Sequence, residues 1–276
     1  MSREARYELV EAYKAARMLK THAIMPILTI IALAIVQAVL LTPIYNPLAL
    51  SQVNPARRPQ FIASSIADFF TYTTITTAVF SLLTWFFMGL ATIHIARLVR
   101  SKWELFGLVI VVAAALSSIM LGYNAVVLRD AMYEASLRAL SKPEIASIIA
   151  NMGVHLSARD LEAYAEAIAE AISSIRSLDA HFAIGIVAAT FSAIPPLLAI
   201  LAIEPLARRI ESKWPRTLQI LLALMLLYTI ISIIPSPSLA LVSAILSLVN
   251  ILEPIAAWLT ANRIKRYVEE KLLETQ

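Results

Sequence analysis

Two Glu-Pro dipeptides are the residues of this chain best placed to do chemistry. Glu204-Pro205 closes the apolar run ILAIEPLARR, and Glu253-Pro254 lies inside a second one, VNILEPIAAW. A carboxylate among apolar residues must be protonated, paired or turned toward water, because an unpaired buried charge costs several kcal/mol. The following proline has no N–H, so the carbonyl four residues before it, Leu201 or Asn250, loses its helical donor. The two sites differ. Glu204 stands one turn before Arg208 and reads as half of an ion pair at a boundary. Glu253 follows Leu239 by fourteen residues, about 21 Å along a helix at ~1.5 Å per residue. An acid at that depth can take up and release a proton or a cation.

Other polar residues interrupt the apolar runs. Ser243, Ser247, Asn250 and Pro254 share one helical stripe beside Glu253. Thr73, Thr77, Ser81 and Thr84 share another, Gln37 and Asn124 stand alone, and Pro195 and Pro196 mark a helix break like the one expected at Pro254. Together they line a polar path, or else they hold helices together through hydrogen bonds worth about 1 kcal/mol or less each. His22, His94, His155 and His181 show no ligand spacing and read as packing or interface residues. Cysteine is absent, which removes disulfides and thiolate chemistry. No P-loop, GxGxxG, HExxH or GxSxG motif occurs. No catalytic residue, cofactor or metal is assigned, and the expectation is a protein that is not an enzyme.

The elements that carry these residues are membrane spans. Hydrophobic residues make up 59% of the 276 positions and charged residues only 15%, with a mean hydropathy of +0.76. A soluble domain is nearer half apolar and a quarter charged. Six runs are long enough to cross a bilayer: Ile24–Tyr45, Phe69–Ile95, Trp103–Leu128, Phe182–Ile203, Thr217–Ile234 and Leu239–Trp258. With the N-terminus inside, sixteen of the 23 Lys and Arg residues fall on the inner side and seven outside. That bias predicts both termini in the cytoplasm. Trp103, Trp214 and Trp258 then lie near the inner boundary, where an indole ring anchors well. The fold class is therefore all-α: a polytopic integral membrane bundle of six transmembrane helices, N-in and C-in, in the cytoplasmic membrane, with an extracytoplasmic helical insert between the third and fourth.

The expected organisation is a cytoplasmic interfacial amphipathic helix at 1–22, spans one to three at 23–128, the insert at 129–180, spans four to six at 181–261 and a cytoplasmic tail at 262–276. Within the insert, Ser141-Lys-Pro-Glu144 reads as a capping box, Gly153 as a helix end, and Ser157 to Asp160 as a second helix start. Leu161, Tyr164, Ile168, Ile172, Ile175 and Leu178 form a narrow apolar seam, suited to packing within the insert or to docking another subunit. ATIHIARLVRSKW (Ala91–Trp103) aligns without gaps on AIEPLARRIESKW (Ala202–Trp214), with six identities in thirteen positions. Duplicated hairpins or a shared demand for basic and aromatic turn residues both account for this.

In size, topology and composition the whole chain resembles the polytopic membrane subunit of the crenarchaeal DNA-import apparatus, the CedA type, akin to channel subunits of conjugative secretion systems. The resemblance implies DNA passage, an ATPase motor and other small membrane subunits as partners, and carries no functional residues with it. The low Asn and Gln content fits a heat-adapted, archaeal source. The leading expectation is a non-catalytic subunit of a translocation machine, with lipid around it and a homo-oligomer as one assembly. Arg97, Arg100, Lys102, Arg208, Arg209 and Lys213 are its expected cytoplasmic partner contacts. An ABC-type permease subunit and a proton- or cation-coupled carrier working through Glu253 are the alternatives.

Overall fold

The computed structural model describes residues 3–151, 158–176, 180–232, 242 and 245–273. Its regular elements are all helical: α1 (Arg3–Leu40), α2 (Thr42–Tyr45), α3 (Pro47–Ser51), a 3-10 turn (Pro55–Arg57), α4 (Arg58–Leu98), α5 (Glu104–Leu140), α6 (Pro143–Ala150), α7 (Ala158–Arg176), α8 (Ala180–Arg209), α9 (Lys213–Ser232) and α10 (Val249–Leu273). Six of the helical stretches are long and apolar enough to cross a membrane, in α1, α4, α5, α8, α9 and α10. The all-α membrane bundle expected from hydropathy is the fold of this chain.

The chain divides into two compact units. The first comprises residues 1–29, 78–119 and 185–276, and the second residues 30–77 and 120–184. The core of the first unit is built on small residues. Ala12, Ala15 and Leu19 of α1 meet Met88, Ala91 and Ile95 of α4 and Ala256, Ala257 and Ala261 of α10, all almost wholly buried. Alanine lets helix backbones approach closely where lipid offers no hydrophobic drive. α4 and α5 approach closely at a pair of glycines. A Cβ built on Gly89 would lie 2.6 Å from the Gly107 carbonyl oxygen, and one on Gly107 would lie 2.4 Å from that of Gly89.

The segment 1–22 is not a separate interfacial helix. It is the first half of α1, which runs unbroken to Leu40 through Pro26. Glu11, Ala12, Ala15, Ala16, Leu19, His22 and Ala23 form its buried face. α10 covers part of that face. Lys271 pairs with Glu8 at 3.6 Å, Tyr13 donates to Glu269 at 2.6 Å, Lys20 stands 5.0 Å over the Trp258 ring, and His22 meets Glu253 at 2.8 Å. Steps up α1 are matched by steps down α10, so the two helices zip antiparallel. For the same reason 262–276 is no loose tail, because α10 continues to Leu273. The amphipathic pattern that suits a membrane surface suits a helical partner equally well.

The prolines are not breaks either. Pro195, Pro196 and Pro205 lie inside α8 and Pro254 inside α10. Each costs one backbone donor without ending its helix, and side chains donate to other carbonyls of α8. Ser192 donates to the Ala188 carbonyl at 2.9 Å, Ser117 reaches the same carbonyl at 3.1 Å, and Gln219 donates to Ile200 at 3.0 Å.

The second unit holds most of the insert. Ile44, Ile62, Ile66, Met132, Leu140 and Ile149 form its core with Tyr164 and Ile168. The apolar seam is thus spent on intramolecular packing at Tyr164 and Ile168; the side chains of Leu161, Ile172, Ile175 and Leu178 lie outside the described residues. The Tyr164 hydroxyl donates to the Ile44 carbonyl at 2.7 Å, and burial pushes its phenol above the ordinary range. Arg58, 5% exposed, donates to the carbonyls of Val53, Ile149 and Ala150 at 3.1, 3.2 and 2.6 Å. It thereby satisfies the C-terminal carbonyls of α6, which a helix end leaves without donors. The expected capping box is absent. The N-cap of α6 is Lys142, with no side-chain cap and proline in the first turn. Proline suits that first position, where its missing N–H would have no intrahelical partner anyway. Gly153 and Ser157 lie outside the described residues.

The two Ser-Lys-Trp turns share one side-chain bond, although the next helix begins after Trp103 in the first and before Trp214 in the second. Ser101 accepts from the Trp103 N–H at 3.4 Å and Ser212 from the Trp214 N–H at 3.5 Å. Shared turn chemistry accounts for that part of the internal echo. Arg100 ends α4 with a left-handed φ of 54°, and the Ser101 N–H closes back onto Ala96 at 2.8 Å, the helix-ending geometry that usually takes glycine.

Candidate functional site

The polar centre of the first unit is a histidine–carboxylate pair. α1 brings His22 and α10 brings Glu253; they are 1% and 2% exposed. His22 Nε2 lies 2.8 Å from Glu253 Oε1, and His22 Nδ1 lies 2.9 Å from the Thr84 carbonyl oxygen of α4. A carbonyl only accepts, so Nδ1 carries a hydrogen. Two states of the pair then satisfy the same geometry. Either Nε2–H donates to an ionised carboxylate, or a protonated carboxyl donates to a bare Nε2. The two states differ only in which of the two atoms carries the shared proton, with no change of partner. The Trp85 ring, 6.1 Å from the imidazole between centroids, closes one side against water.

A second pair lies further down α1. His94 Nδ1 of α4 is 2.7 Å from Glu11 Oε2, and Lys14 Nζ is 3.5 Å from Glu11 Oε1. Glu11 is 3% exposed, whereas the side chains of His94 and Lys14 are 15% and 49% exposed. This pair therefore opens toward solvent and the first does not. Glu11 and His22 are eleven residues apart, three helical turns, so both point from one face of α1. The sequence reading assigned no role to Glu11 and took the histidines for packing residues. The available signal was this eleven-residue spacing within the alanine stripe of α1.

The structure gathers few of the other expected polar residues. Glu253 and Thr84 meet at His22; the Thr84 hydroxyl itself turns back to Phe80 at 2.7 Å. Ser81 and Ser247 are half-buried, Asn250 is exposed, and Ser243 lies outside the described residues. Gln37 and Thr77 are exposed and Asn124 is buried, and all three belong to the second unit. The buried face of α10 is centred on Glu253, Ala257 and Thr260, whereas Asn250 is exposed.

Most of the expected cytoplasmic contact residues make internal pairs. Arg97 binds Glu104 at 2.9 Å, Arg208 binds Glu204 at 2.8 Å, and Lys213 stands 5.2 Å over the Trp214 ring. Arg209 donates to the Leu98 carbonyl at 2.7 Å and approaches Glu8 at 3.3 Å. Arg100 bonds Glu4. Lys102 is exposed. Glu4, Glu8, Arg100, Arg209 and Lys271 line a cavity of about 460 Å³. Glu204 also accepts from Gln219 at 2.8 Å, so the first Glu-Pro is a paired end of α8, as its spacing to Arg208 indicated. Among the described residues no group of three or more His, Asp or Glu is placed to hold a metal. Compared with family models, curated proteins and solved structures, the chain matches none.

Proposed function

We propose that this chain is a non-catalytic transport subunit of the cytoplasmic membrane that moves its cargo together with a proton carried by the His22–Glu253 pair. The observation that carries this reading is the 2.8 Å contact between two titratable groups that are almost completely buried. Intramembrane acids are expensive to keep and mark proton and ion pathways. Here the partner is the one side chain whose ordinary titration falls near neutrality. The test uses proteoliposomes loaded with a pH-sensitive dye under an imposed potassium diffusion potential. The protein should admit protons, and Glu253→Gln, which keeps the shape and removes the charge, should abolish the flux. Flux unchanged in that variant would reject the coupled reading.

A second reading is a subunit of a larger translocation machine, in the extreme case DNA import with a separate ATPase. It is favoured by the flank of α1, where Ile27, Ile30, Ile31, Ile35 and Val39 are all more than half exposed. Only 6% of the apolar window of α1 is buried, against 22–39% in the other five spanning helices. That flank takes lipid in a monomer and another subunit in an assembly. Mild isolation from native membranes followed by mass spectrometry separates the two. A co-purifying secretion-type ATPase supports the machine, an ABC ATPase supports a permease, and the chain alone leaves the coupled carrier.

A further inference from the structure

Thr92 of α4 and Thr260 of α10 are both 0% exposed, and among the described residues neither hydroxyl has a hydrogen-bond partner. A buried hydroxyl without a partner is uncommon and points to water or an ion at that place. Their level in the bundle follows from contacts already described. α4 runs antiparallel to α1, with Thr84 level with His22 and His94 level with Glu11. Thr92 therefore stands about 12 Å from the level of Thr84, taking ~1.5 Å per residue. Thr260 is seven residues beyond Glu253, or about 10 Å along α10 on the same rise. Both hydroxyls thus fall at one level, between the buried pair and the pair that opens to solvent. The facing stretch of α1 is Ala12, Ala15 and Ala16, the smallest side chains that keep a Cβ. Between the hydroxyls and His22 the same core holds Leu19 and Met88, both 0% exposed.

We propose that Glu11–His94, Thr92 and Thr260 form a water-filled half-path that carries protons from the end of the first unit bearing both terminal helices toward His22–Glu253, with Leu19 and Met88 as its apolar plug. This rests on the proton-coupled reading and names the route by which that site is loaded. A proton arriving at Glu11 passes to water. Each hydroxyl accepts one proton on its oxygen and releases its own, so neither is changed by the passage. The last acceptor is the Glu253 carboxylate or His22 Nε2. Lys14, at 3.5 Å, and Arg97 are the cations that face Glu11 at the mouth. Leu19 and Met88 keep the inner segment dry until they part.

Exchange at His22 tests the route apart from any cargo. The protein carries four histidines, so ¹⁵N-histidine labelling in lipid gives few imidazole signals, and His22→Asn assigns the one of interest. Samples are moved into D₂O buffer and loss of the His22 ring N–H signal is timed by solid-state NMR. The Thr92→Val/Thr260→Val pair should slow exchange about tenfold, the factor that loss of about one hydrogen bond's free energy gives. Thr92→Ser/Thr260→Ser, which keeps both hydroxyls, should exchange like the parent, and Leu19→Ala should exchange faster. Parental exchange in the double valine variant, or no exchange in the parent, would overturn the half-path. If Glu253→Gln also stops dye-detected flux in that case, the coupled reading stands and only the route is wrong. If exchange behaves as expected but Glu253→Gln leaves flux intact, the route is real and the coupling fails.

Discussion

His22 and Glu253 meet although they lie 231 positions apart in the chain, and each is the reason the other can be buried. Removing one partner of a buried pair strands the other, and such losses run to about 3 kcal/mol or more. His22→Ala and Glu253→Ala should therefore each lower the thermal midpoint in detergent sharply. The double variant should lose much less than the two losses added, as a shared interaction requires. Additive losses would mean the 2.8 Å contact carries no coupling. At this scale the sequence was half legible. Glu253 could be picked out because a carboxylate within an apolar run is costly wherever the run folds. His22 could not, because one histidine at the end of an apolar stretch looks like any packing histidine until the antiparallel register of α1 and α10 is known. Thr84 was noticed for its hydroxyl, but its contribution is the carbonyl, which every residue has.

At the scale of elements, three substitutions report on particular joints. Gly89→Ala should drive its new Cβ into the Gly107 backbone and cost about 1–3 kcal/mol, the usual range for overpacking; a small-to-large change at Gly122, whose Cβ would meet nothing within 4 Å, is the matched control. Arg58→Ala should leave the last carbonyls of α6 without donors, so hydrogen exchange should quicken across Pro143–Ala150 while α9 stays protected. Tyr164 gives a pH dependence whose sign is fixed by its raised phenol. The folded state holds the proton above the ordinary value of 10.0 and the unfolded state does not, so the contribution is full below pH 10 and fades as pH rises beyond it. Near-ultraviolet dichroism of the second unit should decline from there, and Tyr164→Phe should flatten the decline. Spans were legible because apolar runs of about twenty residues have few other fates. The boundary drawn near residue 22 was not, since the change from charged to apolar residues there leaves α1 unbroken to Leu40. The capping box failed because the helix starts one residue later than expected, so that Lys142 rather than Ser141 is the N-cap.

For the whole molecule, the expected sidedness has a clean assay because there is no native cysteine. Single cysteines at Ser101 and Ser212 should react with an impermeant thiol reagent from one face of the membrane, and one at Ser141 from the other. Labelling of all three from one face would reject the N-in, C-in arrangement. Basic-residue bias gives this direction without any knowledge of packing, whereas the division into two units was not readable, because it cuts through the middle of α1, α4 and α5.

The antiparallel zip of α1 and α10 also sets an order of events during synthesis. α1 leaves the ribosome first among the described helices, yet Tyr13 and Lys20 meet Glu269 and Trp258, and His22 meets its carboxylate, only when α10 has been made and inserted. Until then the early helix sits in the translocon or the bilayer with its polar face uncovered. A chain stopped before α10 presents that face permanently, which is the kind of exposed polar stripe that membrane proteases take as a sign of an unfinished protein.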